Sequence, residues 1–196
     1  MESCITFVIG GARSGKSAFA ESLAYGSRRV IYIATAEAGD TEMSSRIAAH
    51  RSRRPAEWST WEDDILSLPG EIKKIAFAWD ILLFDSLTMY LSAAMFALPE
   101  DTDGDEALWC SAVEKILNGV RDIFTGFGET AAGAYKRLII VSDEAGCGVV
   151  PHYPMGRRFR DLLGMANQAA ASAADEAALV VAGMPLWIKM RSPEKS

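Results

Sequence analysis

Residues Gly10 to Ser17, GGARSGKS, have the composition and spacing of a phosphate-binding loop. They match the pattern G-x-x-x-x-G-K-[ST] between an apolar, strand-like run and a helix-like segment, which is the setting this loop requires. Glycines let backbone N–H groups turn toward phosphate oxygens, and the first turn of the helix adds unpaired N–H donors and the positive end of its dipole. The sequence therefore predicts a nucleoside triphosphate site. Its loop residues are Gly10, Gly11, Ala12, Arg13, Ser14, Gly15, Lys16 and Ser17.

Lys16 and Ser17 carry the predicted chemistry of this loop. In phosphate-binding loops the lysine reaches the β- and γ-phosphates, where it acts in catalysis, and the serine hydroxyl binds Mg²⁺. A carboxylate at the end of another strand is expected to complete the metal site. Two strand ends compete for that role, because ILLFD ends in Asp85 and LIIVSDE ends in Asp143 and Glu144. Alternatively, each carboxylate caps the helix or turn that follows it.

A second reactive pattern is SRIAAHRSRRP, residues 45–55, where His50 lies among four arginines. Nearby positive charge disfavours the imidazolium form, so a histidine with an ordinary pKa of about 6.5 stays neutral at pH 7. A neutral imidazole can attack the α-phosphorus of a nucleotide while arginines stabilise the departing pyrophosphate. We predict on this basis that His50 is a nucleophile. Two simpler interpretations stay open, a structural histidine and a solvated run of surface arginines.

The overall composition limits the partners of the protein. The chain has 196 residues, a formal net charge of −6, 49% hydrophobic residues and 23% charged residues, which is typical of a folded globular protein. An acidic chain argues against a general nucleic-acid binder, so the local arginine cluster suggests a small anionic ligand. Three cysteines without metal-like spacing suggest a reducing, cytoplasmic compartment. We identify no signal peptide and no run that predicts a membrane span.

Apolar runs alternate with helix-like segments along the chain, which predicts an α/β fold with an open, mostly parallel sheet. The predicted strands are residues 4–10, 29–35, 80–86, 136–143 and 177–183. The predicted helices are residues 14–26, 40–52, 86–98, 105–124 and 157–176, the first ending at Gly26 as a C-cap. Residues 98–106 and 125–136 are predicted to be loops. We expect one domain over residues 1–196, with a frayed tail from about residue 190.

The function class is narrowed by motifs that the chain lacks. No base-reading N-K-x-D motif occurs, and DLLG at residues 161–164 lies within a helical pattern, so a GTPase switch is not indicated. The other histidine, His152, is interpreted as a loop residue. These patterns by themselves predict a P-loop nucleotidyl or phosphoryl transferase. A simple P-loop kinase with a structural His50 and a non-catalytic nucleotide-sensing module are the alternatives.

Four sequence blocks together resemble the bifunctional adenosylcobinamide kinase/adenosylcobinamide-phosphate guanylyltransferase family of cobalamin biosynthesis. The blocks are residues 8–21, 32–62, 82–96 and 139–189, and the longest unmatched stretch between them is residues 97–138. The second block is the most specific. Its segments YIATA, DTEMSSRIAAHRSRRP and WSTWE are similar to the family's Y-I-A-T-A, D-x-E-M…R-I-x-x-H-x-x-x-R-P and W-x-T-x-E.

The resemblance implies two successive reactions. The family phosphorylates the aminopropanol hydroxyl of adenosylcobinamide with GTP or ATP. It then transfers GMP from GTP to that phosphate through a guanylylated histidine, which gives adenosylcobinamide-GDP and pyrophosphate. The position of the family's histidine corresponds to His50 here. The resemblance also implies a RecA-like P-loop fold, with helices on both faces of the sheet, and a homotrimer.

The resemblance extends the predicted nucleotide site beyond the phosphate-binding loop. It favours Asp85 over Asp143 as the contact to nucleotide and Mg²⁺, alongside Ser17. The further nucleotide-binding residues that it implies are Ala34, Thr35, Ala36, Arg51, Ser52, Arg53, Arg54, Glu62 and Asp85.

The chain departs from the family pattern at three places. The family often has N-E-V-G where this chain has Asp143, Glu144, Ala145 and Gly146, and an additional carboxylate there bears on Mg²⁺ handling and the kinase step. Ala93 replaces an asparagine of the third block, and residues 125–136 are longer than usual. No residue is identified as the base for the kinase step, although a dissociative transition state does not require a strong base.

Overall fold

The fold of the described residues is built around one sheet of seven strands. A computed structural model of the chain describes residues 3–35, 51 and 54–191. Its strands are β1 (Cys4–Gly10), β2 (Val30–Ala34), β3 (Ser59–Trp61), β4 (Ile81–Asp85), β5 (Arg137–Asp143), β6 (Glu176–Val181) and β7 (Met184–Lys189). They lie side by side in the order β3-β2-β4-β5-β1-β6-β7. Every pairing in this sheet is parallel except that of β6 with β7, which is antiparallel.

Five α-helices occur in the described part of the chain. They are α1 (Lys16–Ser22), α2 (Leu68–Ala78), α3 (Leu87–Phe96), α4 (Glu106–Ala131) and α5 (Pro154–Ala173). Short 3-10 helices at Ile65–Ser67 and Glu100–Gly104 precede α2 and α4. None of the described helices has the length and apolar character needed to cross a bilayer.

The sheet is covered on both faces, as a parallel sheet requires. One face packs against α2, α3, α4 and α5 and contains most of the buried core. The opposite face packs against α1 and the buried Trp58, through residues such as Val8, Leu83 and Val141. The strands read as continuous apolar runs because both of their faces are buried. The predicted α/β fold, with a mostly parallel sheet and helices on both faces, is therefore confirmed.

The register of the parallel strands brings their carboxyl ends to one edge of the sheet. Gly10 at the end of β1 lies opposite Asp143 at the end of β5. Asp85 at the end of β4 lies opposite Ala34 of β2 on one side and Val141 of β5 on the other. The start of the phosphate-binding loop and both candidate metal-binding strand ends thus meet at the same edge.

Two predicted boundaries were wrong. Residues 125–136 were expected to form a loop, but α4 continues to Ala131 because Phe127 and Ala131 extend its buried apolar stripe. The first helix was expected to end at Gly26, but α1 ends at Ser22. Beyond Ser22 the backbone closes into turns, and Gly26 takes a left-handed conformation (φ +88°) in the last of them. Residues 98–106, also predicted as a loop, contain the 3-10 helix before α4.

Three elements were not predicted from the sequence. They are α2, the short strand β3 and the antiparallel strand β7. β3 has only three residues, and β7 contains Pro185, which argues against a strand in the sequence. The predicted helix at residues 40–52 lies outside the described residues, apart from Arg51.

We predict that the two glycines of α4 respond in opposite ways to alanine. A Cβ at Gly126 would lie 2.6 Å from Cγ2 of the buried, β-branched Ile72 on α2, whereas a Cβ at Gly128 would meet nothing within 4 Å. Gly128→Ala should stabilise the fold by up to about 1 kcal/mol, because alanine favours helix. Gly126→Ala should destabilise it by about 1–3 kcal/mol through overpacking. The free energies of unfolding measured in urea test this, and equal stabilisation by both changes would contradict it.

Candidate nucleotide-binding site

The phosphate-binding loop lies between β1 and α1, and glycine is required at both of its ends. A Cβ at Gly10 would lie 2.5 Å from Ser14 Oγ and 2.5 Å from the carbonyl oxygen of Val180. Gly15 immediately precedes α1 with φ +93°, and its Cβ would lie 3.0 Å from Gly183 Cα. Both positions therefore exclude a side chain. Gly11, Ala12 and Arg13 form the turn between them, Arg13 with a positive φ of 56°, and Ser17 lies in the first turn of α1.

The β6–β7 turn supports this loop from the side. Ala182 and Gly183 both have positive φ, which suits a tight hairpin turn. The N–H of Gly183 donates to the carbonyl oxygen of Ser14 at 2.7 Å. This contact was not foreseen, since β7 itself was not predicted, although Gly183 is a turn signal in the sequence.

Lys16 is held at the carboxyl edge of the sheet by two oxygen atoms. Its Nζ lies 2.5 Å from Asp143 Oδ1 and donates to the carbonyl oxygen of Gly11 at 3.2 Å. The lysine side chain is only 12% exposed, against 32% for Asp143. The ammonium group and the carboxylate therefore form a partly buried ion pair beside the phosphate-binding loop.

Helices on one face of the sheet fix the position of Asp143. The Asp143 N–H donates to Thr88 Oγ1 of α3 at 2.8 Å, and its carbonyl oxygen accepts from Asn167 Nδ2 of α5 at 3.0 Å. Ser142, the preceding residue, donates to Asn167 Oδ1 at 2.6 Å. Neither Thr88 nor Asn167 was singled out from the sequence. Both act on the Asp143 backbone, so the position from which its side chain projects is fixed.

Asp85 has different partners at its own strand end. Its Oδ2 accepts a hydrogen bond of 2.7 Å from the Tyr32 hydroxyl, and the Arg54 guanidinium lies 3.1 Å from the centre of the Tyr32 ring. Ser86, rather than Asp85, caps α3, because its Oγ accepts from the Met89 N–H at 3.3 Å. Tyr32 thus joins Asp85 to Arg54, the last arginine of the basic segment, a role that the sequence did not reveal.

The environment of Tyr32 strongly favours its protonated form. Burial raises the pKa of Tyr32 well above the ordinary value of 10, and the negative charge of Asp85 raises it further. The Arg54 guanidinium opposes this change but does not reverse it. Tyr32 therefore remains a hydrogen-bond donor to Asp85 throughout the physiological pH range.

The other predicted contacts are distributed around this edge. Ala34 ends β2, and the buried Thr35 follows it and accepts a 2.6 Å hydrogen bond from the Ser86 N–H. Arg51 forms an ion pair with Glu62, which follows β3. Four predicted site residues lie outside the described part of the chain. They are Ala36, His50, Ser52 and Arg53.

The donor atoms at this edge fit a magnesium ion that is shared with phosphates. Within the described residues, no three His, Cys, Asp or Glu side chains come together as a metal-binding cluster. Mg²⁺ is usually held by one or two carboxylates together with substrate phosphates rather than by a closed protein cage. The hydroxyl of Ser17 and the carboxylates of Asp85 and Asp143 are oxygen donors of the required kind. Glu144 instead accepts from the N–H groups of Gly146 and Cys147.

The site consists of a strand, a glycine-bounded loop and a helix that begins with lysine, and it lies where the parallel strands end. This arrangement defines a P-loop nucleotide-binding protein of the α/β class. A sequence profile described as cobinamide kinase / cobinamide phosphate guanyltransferase matches residues 6–188. The chain belongs to this family, and it is an enzyme with the kinase and guanylyltransferase activities that define the family.

Individual relatives agree with this assignment. The bifunctional adenosylcobalamin biosynthesis protein CobP of Pseudomonas aeruginosa is 40% identical over 93% of this chain and 95% of its own length. The bifunctional adenosylcobalamin biosynthesis protein CobU of Salmonella typhimurium is 34% identical over 93% of this chain and 98% of its own length. Among solved structures, that of the RadB recombinase aligns over 90% of this chain and 73% of its own, with 13% identity and a TM-score of 0.44.

We predict that removing the Tyr32 hydroxyl changes how stability depends on alkaline pH. A raised pKa in the folded state contributes stability that is complete below pH 10, where unfolded tyrosine is protonated, and is lost as the pH rises above 10. Tyr32→Phe should therefore lose less stability than the wild type between pH 9 and pH 11, by on the order of 1 kcal/mol. Denaturant unfolding at both pH values measures the difference. The half-exposed Tyr135→Phe is the matched control, and equal losses in all three proteins would contradict the prediction.

Proposed function

We propose that this chain phosphorylates adenosylcobinamide with GTP or ATP and then transfers GMP from GTP to the product through His50. The observation that carries the proposal is the meeting of Lys16, Asp85 and Asp143 at one sheet edge in a chain of this family. A P-loop lysine and strand-end carboxylates suit phosphoryl transfer, in which positioning and charge stabilisation supply most of the catalysis. We further propose that residues 1–196 act as one catalytic domain.

In the proposed kinase step, the aminopropanol hydroxyl oxygen bonds to the γ-phosphorus of the nucleotide. The bond from that phosphorus to the β–γ bridging oxygen breaks, and the nucleoside diphosphate leaves. Lys16 neutralises charge that develops on the bridging oxygen, while N–H groups of residues 10–17 hold the phosphates. The hydroxyl proton passes to solvent in a dissociative transition state.

In the proposed guanylyl transfer, an imidazole nitrogen of His50 bonds to the α-phosphorus of GTP and pyrophosphate leaves. A phosphate oxygen of adenosylcobinamide phosphate then attacks the same phosphorus, and the phosphorus–nitrogen bond breaks to regenerate the histidine. Arg51, Ser52, Arg53 and Arg54 are proposed phosphate contacts. Arg54 lies against Tyr32, next to Asp85, which supports this role, while Arg51 pairs with Glu62, a further proposed nucleotide contact.

Mg²⁺ is proposed as the cofactor of both steps, where it would neutralise phosphate charge. Ser17 and Asp85 are its proposed ligands. Ala34, Thr35 and Ala36 are proposed nucleotide contacts. Thr35 accepts a hydrogen bond from the N–H of Ser86, the residue that follows Asp85. A cytoplasmic location is proposed as well, supported by three unpaired cysteines, Cys4, Cys110 and Cys147.

We predict that the protein, incubated with Mg²⁺ and GTP without a corrinoid, gains the mass of one GMP in an acid-labile form. His50→Ala should abolish the adduct, and Lys16→Ala should reduce it through weakened triphosphate binding. His152→Ala is the matched control and should retain the adduct. Intact-protein mass spectrometry measures all four proteins. An unmodified wild-type protein that binds GTP and phosphorylates cobinamide would instead favour a simple kinase with a structural His50.

We propose that the homotrimer implied by the family resemblance uses the exposed apolar strand β7. Met184, Leu186 and Ile188 are each more than half exposed and alternate along this edge strand. Exposed edge strands with apolar side chains readily pair with another chain.

We predict that Leu186→Lys combined with Ile188→Lys lowers the mass in solution to that of a monomer, as measured by light scattering. Substituting lysine at exposed Phe77 on α2 is the control, and an unchanged trimer in the β7 variant would contradict the prediction.

A further inference from the structure

The ammonium group that binds phosphates in a P-loop already has an anionic partner within this chain. Lys16 Nζ lies 2.5 Å from Asp143 Oδ1, a direct contact between an ammonium group and a carboxylate. A P-loop lysine must direct the same ammonium group at the β- and γ-phosphates. A triphosphate therefore has to compete with the Asp143 carboxylate for Lys16.

The other carboxylates of this edge do not compete in the same way. Asp85 accepts a hydrogen bond from Tyr32, and Glu144 accepts hydrogen bonds from the N–H groups of Gly146 and Cys147. Of the carboxylates at this edge, Asp143 is the one that the described structure pairs with the phosphate-binding lysine.

Asp143 has little freedom to move away when phosphates arrive. β5 lies between β1 and β4 in the sheet, and Thr88 and Asn167 hold the Asp143 N–H and carbonyl oxygen from two helices. The backbone position from which its side chain projects is thus fixed beside the phosphate-binding loop. Like charges at such a partly buried place repel strongly, because solvent screens them less than at an open surface. A cation placed between the carboxylate and the phosphates would turn this repulsion into attraction.

We propose that Asp143 makes the site selective for the divalent-metal complex of a nucleoside triphosphate over the metal-free nucleotide. Without a divalent cation, the carboxylate retains Lys16 and repels the phosphates. With one, the carboxylate becomes a further oxygen donor facing the metal, and Lys16 is released to the phosphates. This inference rests on the proposed nucleotide site. It concerns a residue at which the chain departs from the asparagine that often occurs in the family pattern it resembles.

The test is a comparison of affinities for α,β-methylene-GTP, an analogue whose α–β bridge cannot be cleaved to guanylylate the protein. Dissociation constants are measured by calorimetry in excess Mg²⁺ and again in EDTA. For each protein, the ratio of the EDTA value to the Mg²⁺ value reports metal selectivity. Asp143→Asn should lower this ratio by about tenfold or more, chiefly by tightening the binding of metal-free nucleotide.

Glu144→Gln is the matched control, because it removes the same charge one residue away from a carboxylate that does not contact Lys16. It should keep the wild-type ratio. An unchanged ratio in Asp143→Asn, or an equal fall in both variants, would overturn the proposal. Asp143→Ser provides a second removal of the carboxylate if the asparagine variant does not fold. A wild-type protein that binds no nucleotide under either condition would overturn the proposed function itself, which separates the two failures.

Discussion

The parallel register between β1 and β5 is the constraint on which the site depends. It places Gly10, the start of the phosphate-binding loop, opposite Asp143, and it sets the ammonium group of Lys16 beside that carboxylate. A shift of this register by one residue would move every side chain of the strand to the opposite face of the sheet, against different packing partners, so packing on both faces keeps the register. The four helices packed on one face and α1 on the other therefore position the site residues by keeping the strands in register. They hold two strand ends, Asp85 and Asp143, at one edge.

Charge is distributed around this edge in two linked groups. Lys16 and Asp143 form one group, and Asp85, Tyr32 and Arg54 form the other. In each, a basic side chain meets a carboxylate either directly or across an aromatic ring. A site of this kind suits a polyanionic substrate that arrives with a cation, because the protein contributes both signs of charge. Burial also keeps Tyr32 protonated, so its hydrogen bond to Asp85 persists over the working pH range.

The residues of the phosphate-binding loop and the main strands were predictable because their signals are local. A glycine-bounded loop between a strand and a helix has few other uses, and buried parallel strands leave continuous apolar runs. The end of α4 was not predictable in this way. Gly126 resembles a helix breaker in the sequence, yet in the fold it allows close contact with Ile72 of α2. The strand β7 was missed because Pro185 lies within its apolar run, and a proline there argues against a strand.

The sequence by itself determined the family, the P-loop, the α/β class and the candidate nucleophile, because each of these depends on residue types and on short spacings along the chain. Only the tertiary structure decided which carboxylate meets Lys16, because Asp85 and Asp143 are equivalent as acidic ends of apolar strands. Strand order makes the difference: β5 lies next to β1, whereas β4 lies one strand farther away. The roles of Tyr32, Thr88 and Asn167 likewise come from contacts between residues far apart in the chain. No local pattern encodes such contacts, since they exist only after the sheet and its helices have packed.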